Sequence, residues 1–536
     1  MAQQTHKLLI NAAEFPFSYF KTARSAIQNQ DIGPRLPGFF AGSNPNFDFG
    51  QPQLLFCENV MPVARGLMSP YLRSNETKPT GAPVSTFDRP FYLDRGGSAG
   101  QYRVVVPALG ANYVLNLPVY FGFTPTLATP APGGIYYSSA IVEGRSFICY
   151  PGSGIYEWDE STLTFVVPAI VYPPGVTIAD IAGISSAGGY LVLHGRLDIY
   201  WCSPLNILDF NDIDQGAGSQ IPADLQGNIR IILPIAGGAI IYTKSNAVGM
   251  RFTGNAAAPF IFKGIAGALG AQSPDQVCGA VNTEAHYSFS GVHLQKLTLT
   301  ACDNVFPELG EYLASGDYLE VWNPATKRVE YDTNHRASAV RLELIDNRYL
   351  FISPQGYDAA TGVDFFSSLS FVFDLAHRRW GKIKVPHVAI FSSNLAVSGI
   401  PDDYICFLQY NGDLWLMRTS DRQSSYGTTQ PLSVYLFGHI QERHDRFITV
   451  QELVLDTTET YRSAPAPGVV PDPIVTLIGS ETGSDRDSTT EMALEQAGTS
   501  YRRYTSRCTA QNFDIAVEAY MGLNTVLAKV MKNGSR

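Results

Sequence analysis

The chain has 536 residues and a mass of 58.5 kDa, enough for several domains with sizeable cores. Charged residues make up 16% of it, aromatics 12%, with 48 Gly and 34 Pro, a mixture that excludes intrinsic disorder and coiled coil and favours short strands and many turns. The net charge of −10 argues against a protein that grips nucleic acid tightly, because neutralising phosphates takes a basic surplus.

The first 60 residues begin MAQQTHKLLINAAEFPFSYF, without a basic segment followed by a long apolar run, so no signal peptide is expected. They continue as DIGPRLPGFFAGSNPNFDFGQPQ, where Pro and Gly recur too often for a regular element. Phe39, Phe40, Phe47 and Phe49 need cover, so residues 1–60 are expected to form an extended arm lying along this subunit or a neighbour, with a free tail as the alternative. No apolar stretch approaches 18 residues, so no helical membrane span is expected.

From about residue 100 the text changes. QYRVVVPALGANYVLNLPVYFGF holds two strand-like runs, and then one unit recurs: an apolar strand, a tight polar turn and a second strand rich in aromatics. Its six copies start at Arg145, Gly189, Ala239, Ala285, Arg348 and Tyr404. A repeat of about 45 to 60 residues built from strands and turns predicts a β-propeller, because a ring of small sheets buries each face against the next and removes long edges. The expected fold is therefore all-β, a propeller of about six blades over 61–430. Two Greek-key sandwiches are the alternative.

After residue 430 the repeat stops, and a separate sandwich-like β module is expected over 431–536. FITVQELVLD alternates as a half-buried strand until Glu452 breaks the pattern. GSDRDSTTEMALEQAGTS looks polar with one short helical turn, and YRRYTSRCT looks like an edge strand.

Candidate chemistry is sparse. Ser153 in PGSGIYEW lacks the G-x-S-x-G elbow and sits in a hairpin turn. His286 and His293, and likewise His439 and His444, lack zinc-ligand spacing. The seven cysteines, Cys57, Cys149, Cys202, Cys278, Cys302, Cys406 and Cys508, are far apart and fit buried thiols. Asp209, Asp212 and Asp214 loosely resemble a cation loop, but a 12-residue calcium loop wants Gly at its sixth place and Glu at its twelfth, where this chain has Asp214 and Gln220. They also leave open a carboxylate pair for glycoside hydrolysis. GIAGALG from Gly264 lacks the frame of a phosphate-binding loop and fits a turn between repeats. Two basic sets, Arg378, Arg379, Lys382 and Lys384, and Arg502, Arg503 and Arg507, are expected to point outward or into subunit contacts. No catalytic, cofactor or metal residue is assigned, and no enzyme is expected.

Three stretches resemble tail proteins of short-tailed bacteriophages, the tail nozzle or packaged-DNA stabilisation family. In 195–212 the resemblance is carried by Trp201, Ser203, Asn206, Asp209 and Phe210. In 237–254 Lys244, Ser245 and Gly254 carry it, followed by FIFKGIAGALGAQSPDQV. In 371–383 it is the hairpin from Val372 to Trp380. The resemblance spans roughly 140–460. It implies a propeller with accessory β domains, a homohexameric ring below portal and head-to-tail adaptor, and contacts with tail fibres or spikes. It further implies a virion protein, assembled in the host cytoplasm, that retains the packaged genome and passes double-stranded DNA without holding it. The long N-terminal arm departs from the family pattern. A propeller-bearing tail spike or receptor-binding protein is the alternative, reading surface sugar through Trp158, Trp201 or Trp415, and a propeller glycosidase is a third reading.

Overall fold

A computed structural model describes residues 4–9, 53–63, 66–68, 71–75, 91–94, 102–108, 111–115, 126–128, 138–162, 164–279, 283–314, 318–336, 339–358, 363–367, 369–397, 400–409, 414–418, 432–441, 447–457, 472–480, 488–497, 501–520 and 523–532. Strands dominate them, and the only α-helix among the described residues is Pro307–Ala314. No helix there is long and apolar enough to cross a membrane.

The fold is a β-propeller. Seven antiparallel four-stranded units follow one another along the described chain, at 91–128, 138–166, 183–220, 229–264, 277–304, 339–383 and 389–418, numbered here as blades 1 to 7. The sixth also pairs Val363–Phe366 with its second strand, and the seventh takes its outermost strand from Tyr71–Asn75, just ahead of blade 1. That pairing ties the last blade to a strand that precedes the first, joining the end of the propeller to its beginning. The six sequence repeats are the second and third strands of blades 2 to 7. The additional blade is the stretch at 91–128, whose runs Tyr102–Ala108 and Ala111–Leu115 are its middle strands.

The first strands of neighbouring blades lie side by side around the centre. They are mostly neutral, because much of such a strand lies against another blade. Gly183–Ala187 is buried along its whole length, and among the described side chains of the inner strands Arg230, Arg341 and Glu343 carry charge. The blades' middle strands fill the gaps with Leu191, Leu193, Ile240, Tyr242, Phe351 and Phe407, all buried. Full burial of such a side chain contributes about 1.5–3 kcal/mol.

Two larger sheets stand beside blade 6. One has the order Met61–Val63, Gly66–Met68, Leu523–Lys532, Ile448–Thr457, Tyr501–Ala510, Ala493–Ala497, with Gln4–Leu9 also on Leu523–Lys532. The other runs Gln53–Glu58, Ser433–Gln441, Asn512–Ala519, Ile474–Ser480, Ser488–Glu491. This sandwich therefore draws strands from both ends of the chain. Two segments expected to belong to an arm, Gln4–Leu9 and Gln53–Glu58, are strands within it. The arm's Pro-rich centre, residues 10–52, lies outside the described residues.

The pattern break at Glu452 is a β-bulge. Both neighbours of Ile448–Thr457 skip Gln451, so Ile448 and Val450 face the core before it and Leu453 and Leu455 after it. Tyr501–Ala510 is not an edge strand, because Ala493–Ala497 pairs outside it. That outer strand comes from the segment expected to hold a helical turn. Its Ala, Leu, Glu and Gln favour a helix locally, and sheet pairing overrides the preference.

Candidate functional site

Buried charge collects where the propeller meets the sandwich. Val60 forms an isolated bridge with Lys382 on the outer strand of blade 6, with hydrogen bonds of 2.8 and 2.9 Å. Gly381 is required beside it, because a Cβ there would run into the Val60 carbonyl. The bridge brings Lys382 inside. Its ammonium donates to the Glu320 carbonyl at 2.6 Å and lies 4.3 Å from the centre of the Phe56 ring. Burial pushes its pKa down, against the pull of Glu58 and Glu320. The expectation that this basic set points outward or between subunits fails at Lys382, which is 3% exposed within its own chain. Arg378, in the same set, is exposed at a turn.

A hairpin, Tyr318–Asn323 with Arg328–Arg336, completes the junction. Trp322 is its anchor. Glu58 accepts from its backbone N–H at 3.2 Å, and Glu518 accepts from its indole N–H at 3.0 Å. Lys384 pairs with Glu58 at 3.4 Å and Lys327 pairs with Glu518. Around the indole stand Phe56, Val329, Val434, Leu436, Ile478 and Ala516. Asn59 adds its side chain, donating to the Leu432 carbonyl at 3.1 Å and accepting from the Lys384 N–H at 3.1 Å. Four separate parts of the chain are thus tied by charges that answer one another, which is what makes burying them tolerable.

The three stretches that carry the family resemblance are structural knots. In blade 3, Trp201 donates its indole N–H to the Gly216 carbonyl at 3.1 Å, and Ser203 donates its hydroxyl to the Gln215 carbonyl at 3.0 Å and its N–H to the Asp209 carbonyl at 2.7 Å. Phe210 is buried beneath them. In blade 4, Thr243 and Asn246 share a 2.8 Å hydrogen bond across the Lys244–Ser245 turn, and Gly254 has a φ of 76°. In blade 6, the Asp374 carboxylate accepts from the Ala376 N–H at 2.9 Å, His377 Nδ1 at 2.8 Å and Arg348 at 2.9 Å. Trp380 ends that hairpin between Phe373 and Phe306, each 4.7 Å away.

Buried histidines join the blades. His286 of blade 5 donates through Nε2 to the Pro234 carbonyl of blade 4 at 2.9 Å and accepts from the Tyr242 hydroxyl at 3.0 Å. His387, leading into blade 7, donates through Nδ1 to the Val385 carbonyl at 2.6 Å, and its Nε2 lies 3.1 Å from both Ser353 and Ser370 of blade 6. His194 in blade 3 donates to the Gly195 carbonyl at 3.0 Å. Burial drives all three pKa values down to about 4. The His387–serine cluster has the atoms of a nucleophile and base, but it is buried, and a backbone carbonyl stands where a catalytic dyad's orienting carboxylate would.

The remaining candidates are placed as follows. Ser153 is exposed in a turn where Gly152 has a φ of 65°. Asp209 accepts from the N–H groups of Asn211 and Asp212, and Asp212 caps the short turn at Gln215. Among the described residues no group of three or more His, Cys, Asp or Glu side chains is gathered for a metal ion. Gly264 ends a strand, its N–H held by Asp224 at 2.6 Å, and the following loop is clamped by Gln295 between blades 4 and 5. His293 accepts from Asn304 at 3.2 Å. The side chain of His439, and all of His444, lie outside the described residues. Trp158 and Trp201 are buried, and Trp415 is partly buried against the core. Arg502 pairs with Asp472 at 2.6 Å and Arg503 with Glu452 at 3.1 Å, while Arg507 is exposed. All seven cysteines are free thiols, five of them buried. What sequence reasoning missed is the Glu58–Trp322–Glu518 clasp, for which the signal was a glutamate at or near the end of each of two largely apolar strands, Gln53–Glu58 and Asn512–Ala519.

The described residues form a propeller of seven blades joined to a β-sandwich. No family model and no curated protein matches the sequence. Among solved structures, the WD40 β-propeller domain of Doa1 is similar over 65% of this chain and 97% of that one, at 8% identity and a TM-score of 0.38.

Proposed function

We propose that this chain is a structural subunit of a bacteriophage short tail. In this reading six copies form the nozzle ring that extends the DNA channel below portal and adaptor, retains the packaged genome and conducts it during ejection. The subunit performs no catalysis. One observation carries the reading. The three stretches through which the sequence resembles the tail nozzle family are the stabilising knots of blades 3, 4 and 6, so the likeness resides in architecture, as it would in a protein whose work is mechanical. The junction at Trp322 and Lys382 supports it further. A conduit under pressure from packaged DNA needs its two bodies held rigidly, and buried, mutually satisfied charges specify a single arrangement. The acidic balance also suits a passage that must not capture an anionic polymer.

The test is genome retention. Particles assembled without this protein should package DNA and then lose it, leaving the genome open to added nuclease. Particles that keep their DNA protected in its absence would contradict the reading.

A further inference from the structure

We propose that the loop face over blade 3 is a docking surface for a basic, apolar segment of another polypeptide. The inference stands on this surface alone and goes beyond the nozzle reading.

Three large apolar side chains there are almost fully in water: Leu205 is 78% exposed, Ile213 77% and Val167 76%. Isolated exposed apolar residues are ordinary, but Leu205 and Ile213 belong to one knot of loops, and Val167 stands four residues before the strand of linker that touches it. The linker from blade 2 lies against the blade 3 loop through Val171, whose N–H donates to the Leu208 carbonyl and whose carbonyl accepts from the Phe210 N–H, each at 2.9 Å. The Leu205 N–H is held by Ser203 Oγ at 3.2 Å, and Ser203 is tied to Gln215, beside Ile213. Such loops are fixed before any partner arrives, so docking on them costs little ordering.

Charge selects the occupant. Between Arg196 and Arg230 the chain holds five Asp and no Lys or Arg, and the whole chain has a net charge of −10. Asp209 and Asp212 are held by turn hydrogen bonds within the same loop, and Asp214 is exposed beside Ile213. A field of that sign repels nucleic acid and anionic lipid and attracts lysine and arginine. The apolar tips then supply the contact that a purely electrostatic encounter lacks.

The test uses the full chain and a fluorescent 12-residue peptide of alternating lysine and leucine, followed by anisotropy. Binding is expected in the micromolar range and at least tenfold weaker when salt is raised from low to high concentration. The pair Leu205→Ser with Ile213→Ser should weaken it at least tenfold, and Asp212→Asn with Asp214→Asn should flatten the salt dependence. Ile261→Ser, which removes an apolar residue 58% exposed on blade 4, should change nothing. All five positions lie at the surface or partly so, and circular dichroism would confirm that the variants fold. The proposal is overturned if the parent chain does not bind the peptide, or if the Leu205 and Ile213 variant binds it equally well. Equal binding of a glutamate–leucine peptide, or of duplex DNA, also overturns it.

Discussion

Lys382 gives its ammonium to the carbonyl of Glu320, 2.6 Å away and 62 residues earlier in the chain. That bond crosses from blade 6 to the hairpin that covers the sandwich, and Phe56 of the sandwich lies beneath the same ammonium. Lys382→Met keeps the stem and removes the donor. It is expected to destabilise the protein by about 1–3 kcal/mol, because the buried Glu320 carbonyl loses its donor, while Glu58 keeps Lys384. Trp322→Ala should cost more, about 3–5 kcal/mol, and open the hairpin to protease. Urea unfolding and limited proteolysis check both, and equal stability of the Trp322 variant and the parent would dismiss the clasp.

Asp374 makes a second prediction. Burial pushes its pKa up, but the hydrogen bonds from Arg348 and His377 and the charge of Arg348 outweigh burial and hold it below the ordinary carboxylate value. The stability this carboxylate contributes is present above its unfolded-state pKa and is lost as pH falls through the lower folded value. Asp374→Asn should therefore cost about 1.5–3 kcal/mol at neutral pH and progressively less as the parent is acidified. Stability curves of the two proteins between neutral pH and pH 2 should converge, and parallel curves would refute the assignment.

The buried histidines act in the pH window above that. Their folded-state pKa values, about 4, lie below the ordinary 6.5. Below pH 6.5 the unfolded chain binds protons that the folded one refuses, so stability falls from there until about pH 4. Each histidine contributes up to about 3 kcal/mol of that loss. Replacing His286 with Gln removes one titrating seam between blades 4 and 5. The variant should be less stable at pH 7.5 yet lose less on acidification to pH 4.5, as read from denaturant midpoints at each pH. An unchanged acid slope would show that His286 is already protonated or not buried.

The repeat was legible because the second strands of blades 2 to 4, Arg145–Tyr150, Tyr190–His194 and Gly238–Thr243, are buried almost throughout and so must be apolar or aromatic. Closure was not. Tyr71–Asn75 completes blade 7 by pairing with Leu414–Arg418, more than 300 residues away, and no local pattern encodes so distant a partner. Nor could Gln4–Leu9 and Gln53–Glu58 be recognised as sandwich strands, since each is short and the text between them is full of Pro and Gly. Lys382 looked like one charge in a solvated strand. Its burial follows from Val60 covering the outer edge of blade 6, a tertiary contact that alternation within RWGKI does not reveal. The bulge at Gln451, by contrast, was visible as a break at Glu452 and lacked only its structural name.

The central claim, a nozzle ring, is tested most directly by the rotational symmetry of this protein in intact particles. Averaged electron-microscope images of tails, with the protein located by a tag at its C-terminus, should show six copies around an open axial channel. Three copies, or a position off the DNA axis, would contradict the account and favour a spike.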